Sequence, residues 1–245
     1  MCGRYVMARA AGDLIAEAEA ETDDALQLRQ SWNVAPTSDV PIVLERLIDG
    51  TVTRQVHVAR WGLVSSWAKD MSVGVRAFNA RSETAAEKPT FKSSVKSRRC
   101  AVPVEGYYEW RKEPGGSKTP FFVHRGDGRL TFFAGLYSWW KDPTKEDSDP
   151  ERWLLSTSVI TMASPEPGAP GVLDELASLH DRLPIPMSTE TMSEWLHPGN
   201  GDGATLLDLV RNGAFDAASA WRLDRVGSEV GNVRNDSQDL ITPVT

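Results

Sequence analysis

Six short runs dense in β-branched, aromatic and other apolar residues lie between residues 40 and 160, and they constrain the fold more than any other feature. Residues 40–48 and 52–63 flank Asp49 and Gly50, a hairpin signal, although the alternation in the second run is imperfect. Residues 100–104, 119–124, 130–137 and 152–160 follow, with the composition that suits a pleated, half-buried surface. Helical patterning surrounds them. One or two short helices are expected within residues 10–29, where Leu14, Ile15, Ala18, Ala25, Leu26 and Leu28 stand among acids. Residues 82–88, 172–179, 188–196 and 204–218 are also helix-compatible, and residues 226–244 read as mixed coil and strand. Residues 33–41 form a turn-rich approach to the first long strand, and the acidic residues 141–151, with Pro143 and Pro150, an exposed excursion. The fold class expected is α+β, a mainly antiparallel sheet or barrel-like core with peripheral helices. No internal repeat is evident and the strands run across most of the chain, which favours one domain over residues 1–245.

A chain of 245 residues buries enough surface to hold a core without disulfides or metal. Cys2 and Cys100 make no disulfide framework, and both are left for other work. Cys2 follows Met1 directly, ahead of any segment resembling a signal peptide, and no apolar run reaches the ~18 residues of a membrane span. A cytoplasmic protein with no membrane partner is expected. The formal charge of −7 argues against a general coat for polyanions but leaves room for a local site. Lys88, Lys92, Lys96, Arg98, Arg99, Arg111 and Lys112 concentrate positive charge, whereas residues 13–24 and 142–151 are acidic. The same charges would also serve simply as solvated surface.

Position 2 gives the cysteine a second meaning. A small side chain there is compatible with removal of Met1, which would expose an α-amine and a thiol on adjacent carbons. Both groups have ordinary pKa values near 8 to 8.5, so both are reactive near neutral pH. A 1,2-aminothiol attacks an aldehyde through nitrogen and closes through sulfur into a five-membered thiazolidine. The alternative is an incidental cysteine behind a retained methionine.

Several segments then fall into one pattern: Met1-Cys2-Gly3-Arg4-Tyr5, Trp32-Asn33-Val34-Ala35-Pro36-Thr37, Arg60-Trp61-Gly62-Leu63-Val64 and Phe78-Asn79-Ala80-Arg81-Ser82-Glu83-Thr84. Arg99-Cys100-Ala101-Val102-Pro103, Gly106-Tyr107-Tyr108-Glu109-Trp110, His180-Asp181-Arg182-Leu183-Pro184 and Asn232-Val233-Arg234-Asn235 complete it. In their conjunction and order these segments resemble the SRAP family, the SOS response-associated peptidase domain of abasic-site shielding proteins. The resemblance covers essentially the whole chain. Leu183 departs from the methionine usual in the His-x-Arg-Met-Pro pattern, an apolar exchange that implies repacking.

The resemblance implies that Cys2, after loss of Met1, joins the ring-opened aldehyde of an abasic site in single-stranded DNA. The product is a thiazolidine cross-link that shields the lesion. It implies Asn79 as the active-site asparagine, Glu109 as a proton-transfer carboxylate and His180 as a second proton-transfer group. By their residue types alone, Asn79 would cap the following helix and Glu109 would pair with Arg99 or Arg111. Arg4, Arg81 and Arg182 match positions that bind phosphates flanking the lesion. Trp61 and Trp67 are candidate platforms for unstacked bases, and Asn33 a pocket organiser on the DNA-binding side. Glu105 is a weaker candidate, and His57, His124 and His197 carry no comparable motif.

No cofactor is expected, and two cysteines with four dispersed histidines offer no recognised metal-ligand spacing. The expected partner is single-stranded DNA with an abasic site, bound by a monomer. Other readings are a cysteine peptidase built on Cys2, His180 and Asn79, an abasic-site lyase acting through an N-terminal imine, and a noncovalent single-strand binder. Release of a longer leader by self-cleavage is not expected, since only Met1 precedes Cys2.

Overall fold

The structure, a computed structural model, describes residues 2–22 and 26–244. In chain order the strands are β1 (Tyr5–Met7), β2 (Ser31–Val34), β3 (Asp39–Ile48), β4 (Thr51–Trp61), β5 (Asn79–Arg81), β6 (Arg99–Val104), β7 (Gly106–Lys112), β8 (Lys118–Arg125), β9 (Thr131–Lys141), β10 (Trp153–Ala163), β11 (Arg182–Pro184), β12 (Pro186–Met187) and β13 (Trp221–Arg225). The helices are α1 (Ala11–Ala18), α2 (Ser82–Ala85), α3 (Pro89–Ser97), α4 (Val172–Leu179), α5 (Thr189–Leu196) and α6 (Gly203–Ala218).

The strands make two sheets. One has the order β13-β8-β7-β1-β2, all antiparallel. The other runs β11-β10-β4-β3-β6-β9-β12 and closes on itself because β9 also pairs with β10. The expected α+β class with a barrel-like antiparallel core and peripheral helices is the observed one. Among the named strands two pairings depart from antiparallel: β10 lies parallel to both β4 and β5.

Local chemistry explains the frame. β3 and β4 pair without interruption from Asp39 opposite Arg60 to Ile48 opposite Thr51. Asp49 and Gly50 both take positive φ, 47° and 80°, the tight turn whose twist matches the strands it joins. Ser188 and Asp202 cap α5 and α6 by accepting from Thr191 N and Ala204 N, satisfying donors that a helix start leaves open. The helix expected at residues 82–88 stops at Ala85, and Pro89, suited to a first helical turn, opens the unforeseen α3. β7 and β13 were also unforeseen, because charged residues interrupt both sequences. Residues 26–29 are not helical, and Ala25 lies outside the described residues. The expected strand character in residues 226–244 reduces to a bridge between Val226 and Pro243 beside 3-10 turns at Ser228–Gly231 and Gln238–Ile241.

One apolar cluster runs from Cys2 to Trp221 and joins both sheets to the helices. Arg99 is buried within this frame. Its guanidinium donates to the carbonyls of Trp195, Val95, Lys96, His197 and Asn200, tying the C-terminal ends of α3 and α5 together. No helix among the described residues is long and apolar enough to cross a membrane.

Candidate active site

The first sheet carries the N-terminus into the interior. β1 lies between β2 and β7, with Tyr5 opposite Tyr107 and Tyr108 N donating to the Arg4 carbonyl. Side chains alternate along β7, so Tyr107 and Glu109 share a face, and both are buried. Cys2 is fully buried. Burial, and then the charge of Glu109 nearby, push its thiol well above the ordinary thiol range. The sulfur is therefore protonated at neutral pH.

Asn79 reaches Cys2 from the other sheet. It begins β5, which is held parallel to β10 with Asn79 opposite Val159. Its Nδ2 donates to the Cys2 carbonyl over 2.7 Å. Asn79 therefore grips the backbone of Cys2 and does not act as a helix cap; α2 has no side-chain cap.

Trp61 must be reassigned. It is fully buried, so no face of the indole is open to a DNA base. Its Nε1 donates to the Phe78 carbonyl over 2.9 Å, and its ring lies 4.9 Å from Tyr5 and 5.9 Å from Phe78, centre to centre. It packs between Tyr5 of one sheet and Phe78, the residue before Asn79. Trp67, by contrast, is 66% exposed, as a stacking residue must be. Its loop is pinned where Gly62 and Gly74 cross: a Cβ on Gly74 would lie 2.5 Å from the Gly62 oxygen, and one on Gly62 would lie 2.6 Å from the Gly74 oxygen. Trp140 Nε1 also holds the loop through the Ala68 carbonyl, 2.8 Å away.

Asn33 is buried, and protein groups take up its amide. Nδ2 donates to the carbonyls of Val230, Asn232 and Asn235, and Oδ1 accepts from Arg4 Nη1 at 3.1 Å. It latches the C-terminal segment and orients Arg4, so its polar groups are spent on protein partners. Arg4 also donates to the Val230 carbonyl, and no carboxylate pairs with it among the described residues. Burial lowers its pKa from the ordinary arginine value.

On the far side of β10, β11 brings Arg182 opposite Ala163, while β5 brings Arg81 opposite Thr161. Arg182, expected to face a phosphate, is engaged by protein groups. Its guanidinium is buried and paired in two-pronged fashion with Glu83, 3.1 and 2.9 Å, with a further 2.7 Å bond to the Thr161 carbonyl. Glu83, for its part, is held below the ordinary carboxylate range by Arg182 and by the Ala163 amide, against partial burial. Arg81 is exposed and makes no ion pair among the described residues. It lines a groove of about 600 Å³ with Trp110, Lys112, His180 and Asp181. His180 Nδ1 lies 2.7 Å from the Asp181 carboxylate and 3.1 Å from Arg182 N. With a proton on Nδ1 it donates to Asp181, and without one it accepts from the Arg182 amide.

Cys2, Asn79 and Glu109 thus gather at one buried point, while His180 and Arg81 line a groove that also takes in Trp110, the residue after Glu109. Sequence reasoning overlooked Tyr5, Tyr107 and Glu83, although all three lie within the quoted segments. The signal was positional: Tyr107 precedes Glu109 by two in a strand, and Glu83 follows Asn79 by four across a strand end.

A family model described as SOS response associated peptidase (SRAP) matches residues 1–233. The chain is 33% identical over 244 residues to the abasic site processing protein YoqW of Bacillus subtilis, covering 98% of this chain and 99% of that one. It is 29% identical over 251 residues to the abasic site processing protein YedK of Escherichia coli, covering both chains in full. A crystal structure of a protein from Bacteroides thetaiotaomicron shares the fold, with a TM-score of 0.79 at 22% identity and full coverage of both chains.

Proposed function

The chain belongs to the SOS response associated peptidase family, and from that membership we propose that it processes abasic sites in single-stranded DNA. In this reading Cys2 joins the ring-opened sugar aldehyde as a thiazolidine and shields the lesion. The observation that supports the proposal is the buried cluster in which Asn79 grips the Cys2 carbonyl beside Glu109.

Removal of Met1 frees the Cys2 α-amine, whose ordinary pKa near 8 leaves a usable neutral fraction at pH 7. A thiol kept protonated by burial makes that amine the first nucleophile. It attacks the aldehyde carbon, the carbinolamine loses water, and an imine results. Sulfur then adds to the same carbon, the C=N electron pair moves to nitrogen, and the thiol proton is delivered to that nitrogen. Amine, thiol and aldehyde give thiazolidine and one water. Glu109 is the carboxylate placed to carry this proton, and His180 exchanges one with the sugar ring oxygen as the hemiacetal opens. Arg4 and Arg81 attract the flanking phosphates, and Trp67 offers a face to an unstacked base. The protein acts on DNA in the cytoplasm as a monomer. A Cys2–His180 peptidase is less well supported, because a buried, carboxylate-flanked thiol is the opposite of the thiolate such an enzyme needs.

The test is to mix protein of verified N-terminal mass with single-stranded oligonucleotides with and without one abasic site. The expected product has the summed mass minus one water, survives denaturing electrophoresis and is absent for Cys2→Ala. Cys2→Ser should give only a reducible imine. If protein lacking Met1 forms no abasic-specific adduct, the proposal is wrong.

A further inference from the structure

Tyr5 is completely buried, yet among the described residues its hydroxyl has no hydrogen-bond partner. An unpartnered buried hydroxyl is destabilising, whereas phenylalanine would fill the same space without that penalty. Its placement is specific. Tyr5 stands three residues from Cys2, faces Tyr107 across β1 and β7, and packs on Trp61, whose indole is bonded to the residue preceding Asn79. Asn79, which holds Cys2 through Nδ2, has its Oδ1 likewise buried without a partner. Two uncommitted polar atoms, one from each sheet, are therefore buried in the neighbourhood of a single nucleophile. An ionised Cys2 would also oppose ionisation of both Tyr5 and Tyr107, which places the three groups in one electrostatic neighbourhood.

We propose that the Tyr5 hydroxyl is a substrate-binding group that hydrogen-bonds the hydroxyl released when the abasic sugar opens. This rests on the abasic-site reading above. Opening the cyclic hemiacetal turns the ring oxygen into a free hydroxyl, the one unesterified polar group left on the sugar once Cys2 has taken the aldehyde carbon. A hydroxyl both accepts and donates. Tyr5 O–H supplies the donor and Asn79 Oδ1 the acceptor, so the captured sugar satisfies both atoms that the folded chain leaves open. No bond to Tyr5 forms or breaks. The contact favours a sugar aldehyde over a plain alkyl aldehyde and holds the open form in place for ring closure.

The experiment compares wild type and Tyr5→Phe on two single strands, one with a natural abasic site and one with a linear alkyl aldehyde lacking that hydroxyl. Wild type should react faster with the natural lesion. Tyr5→Phe should slow that reaction about tenfold, the scale of one hydrogen bond to a buried group, and leave the alkyl aldehyde rate unchanged. Affinity for intact single strand should not change, and the melting temperature should hold or rise as the orphaned hydroxyl is removed. The inference is overturned if the variant matches wild type on the natural lesion, if it slows both aldehydes equally, or if wild type does not distinguish them. Absence of any adduct from wild type would instead count against the abasic-site reading itself.

Discussion

The side-chain amide of Asn79 donates to the backbone carbonyl of Cys2 over 2.7 Å, joining the first residue of β5 to the chain terminus across two sheets. Asn79→Ala and Asn79→Asp both remove the donor, and the carboxylate also faces a carbonyl oxygen. Each should lower the rate of abasic-site cross-linking about tenfold or more, equivalent to ~1.4 kcal/mol, while stability falls by only about 1 kcal/mol. Cross-linking kinetics beside thermal melts separate the two effects, and a variant that loses stability without losing rate would refute the positioning role.

Trp61 and Trp67 should respond differently to truncation. Trp61→Ala empties a fully buried site and should destabilise the protein by about 3–5 kcal/mol. Trp67→Ala should change stability by no more than about 0.5 kcal/mol, yet weaken single-strand binding by about 1–3 kcal/mol. Denaturant melts and binding titrations on both variants decide this.

The crossing of Gly62 and Gly74 leaves no space for a Cβ on either residue. Gly74→Ala should cost about 1–3 kcal/mol from overpacking. Gly62→Ala should cost more, since Gly62 also sits at φ +138°, where side chains are strained. Both should weaken single-strand binding by displacing Trp67, and a melt unchanged from wild type would show that the loop is not pinned there.

Burial pushes the Cys100 thiol up to about 12, against 9.0 for an ordinary thiol. The unfolded chain therefore gives up this proton first. Stability is full below about pH 9 and drains away as the pH rises towards 12, by at most about 1.4 kcal/mol per pH unit from this group. In a Cys2→Ala background, melts from pH 7.5 to 11 should show a steeper alkaline decline with Cys100 than with Cys100→Ser. Superimposable curves would remove the thiol as the cause.

The composition of six runs and the Asp49-Gly50 turn were enough to place the long strands, because β-branched composition and turn geometry act locally. The quoted segments also carried Cys2, Asn79 and Glu109 as a set, since each is a chemical identity at a fixed place in the chain. β7 and β13 stayed hidden because their charged residues are accommodated only by neighbouring strands. Exposure was likewise illegible. Trp61 and Trp67 are six residues apart and alike in type, yet one is sealed under Tyr5 and Phe78 while the other stands in solvent. Arg182 looked free until Glu83, a near neighbour only through the pairing of β5 and β11 with β10, proved to hold it. What the sequence determined was which functional groups are present and the local strands that carry them. Which of those groups face one another, which are already engaged by protein partners, and where a hydroxyl such as that of Tyr5 is left open were decided by long-range strand pairing, because burial and hydrogen-bond partners depend on residues far apart in the chain.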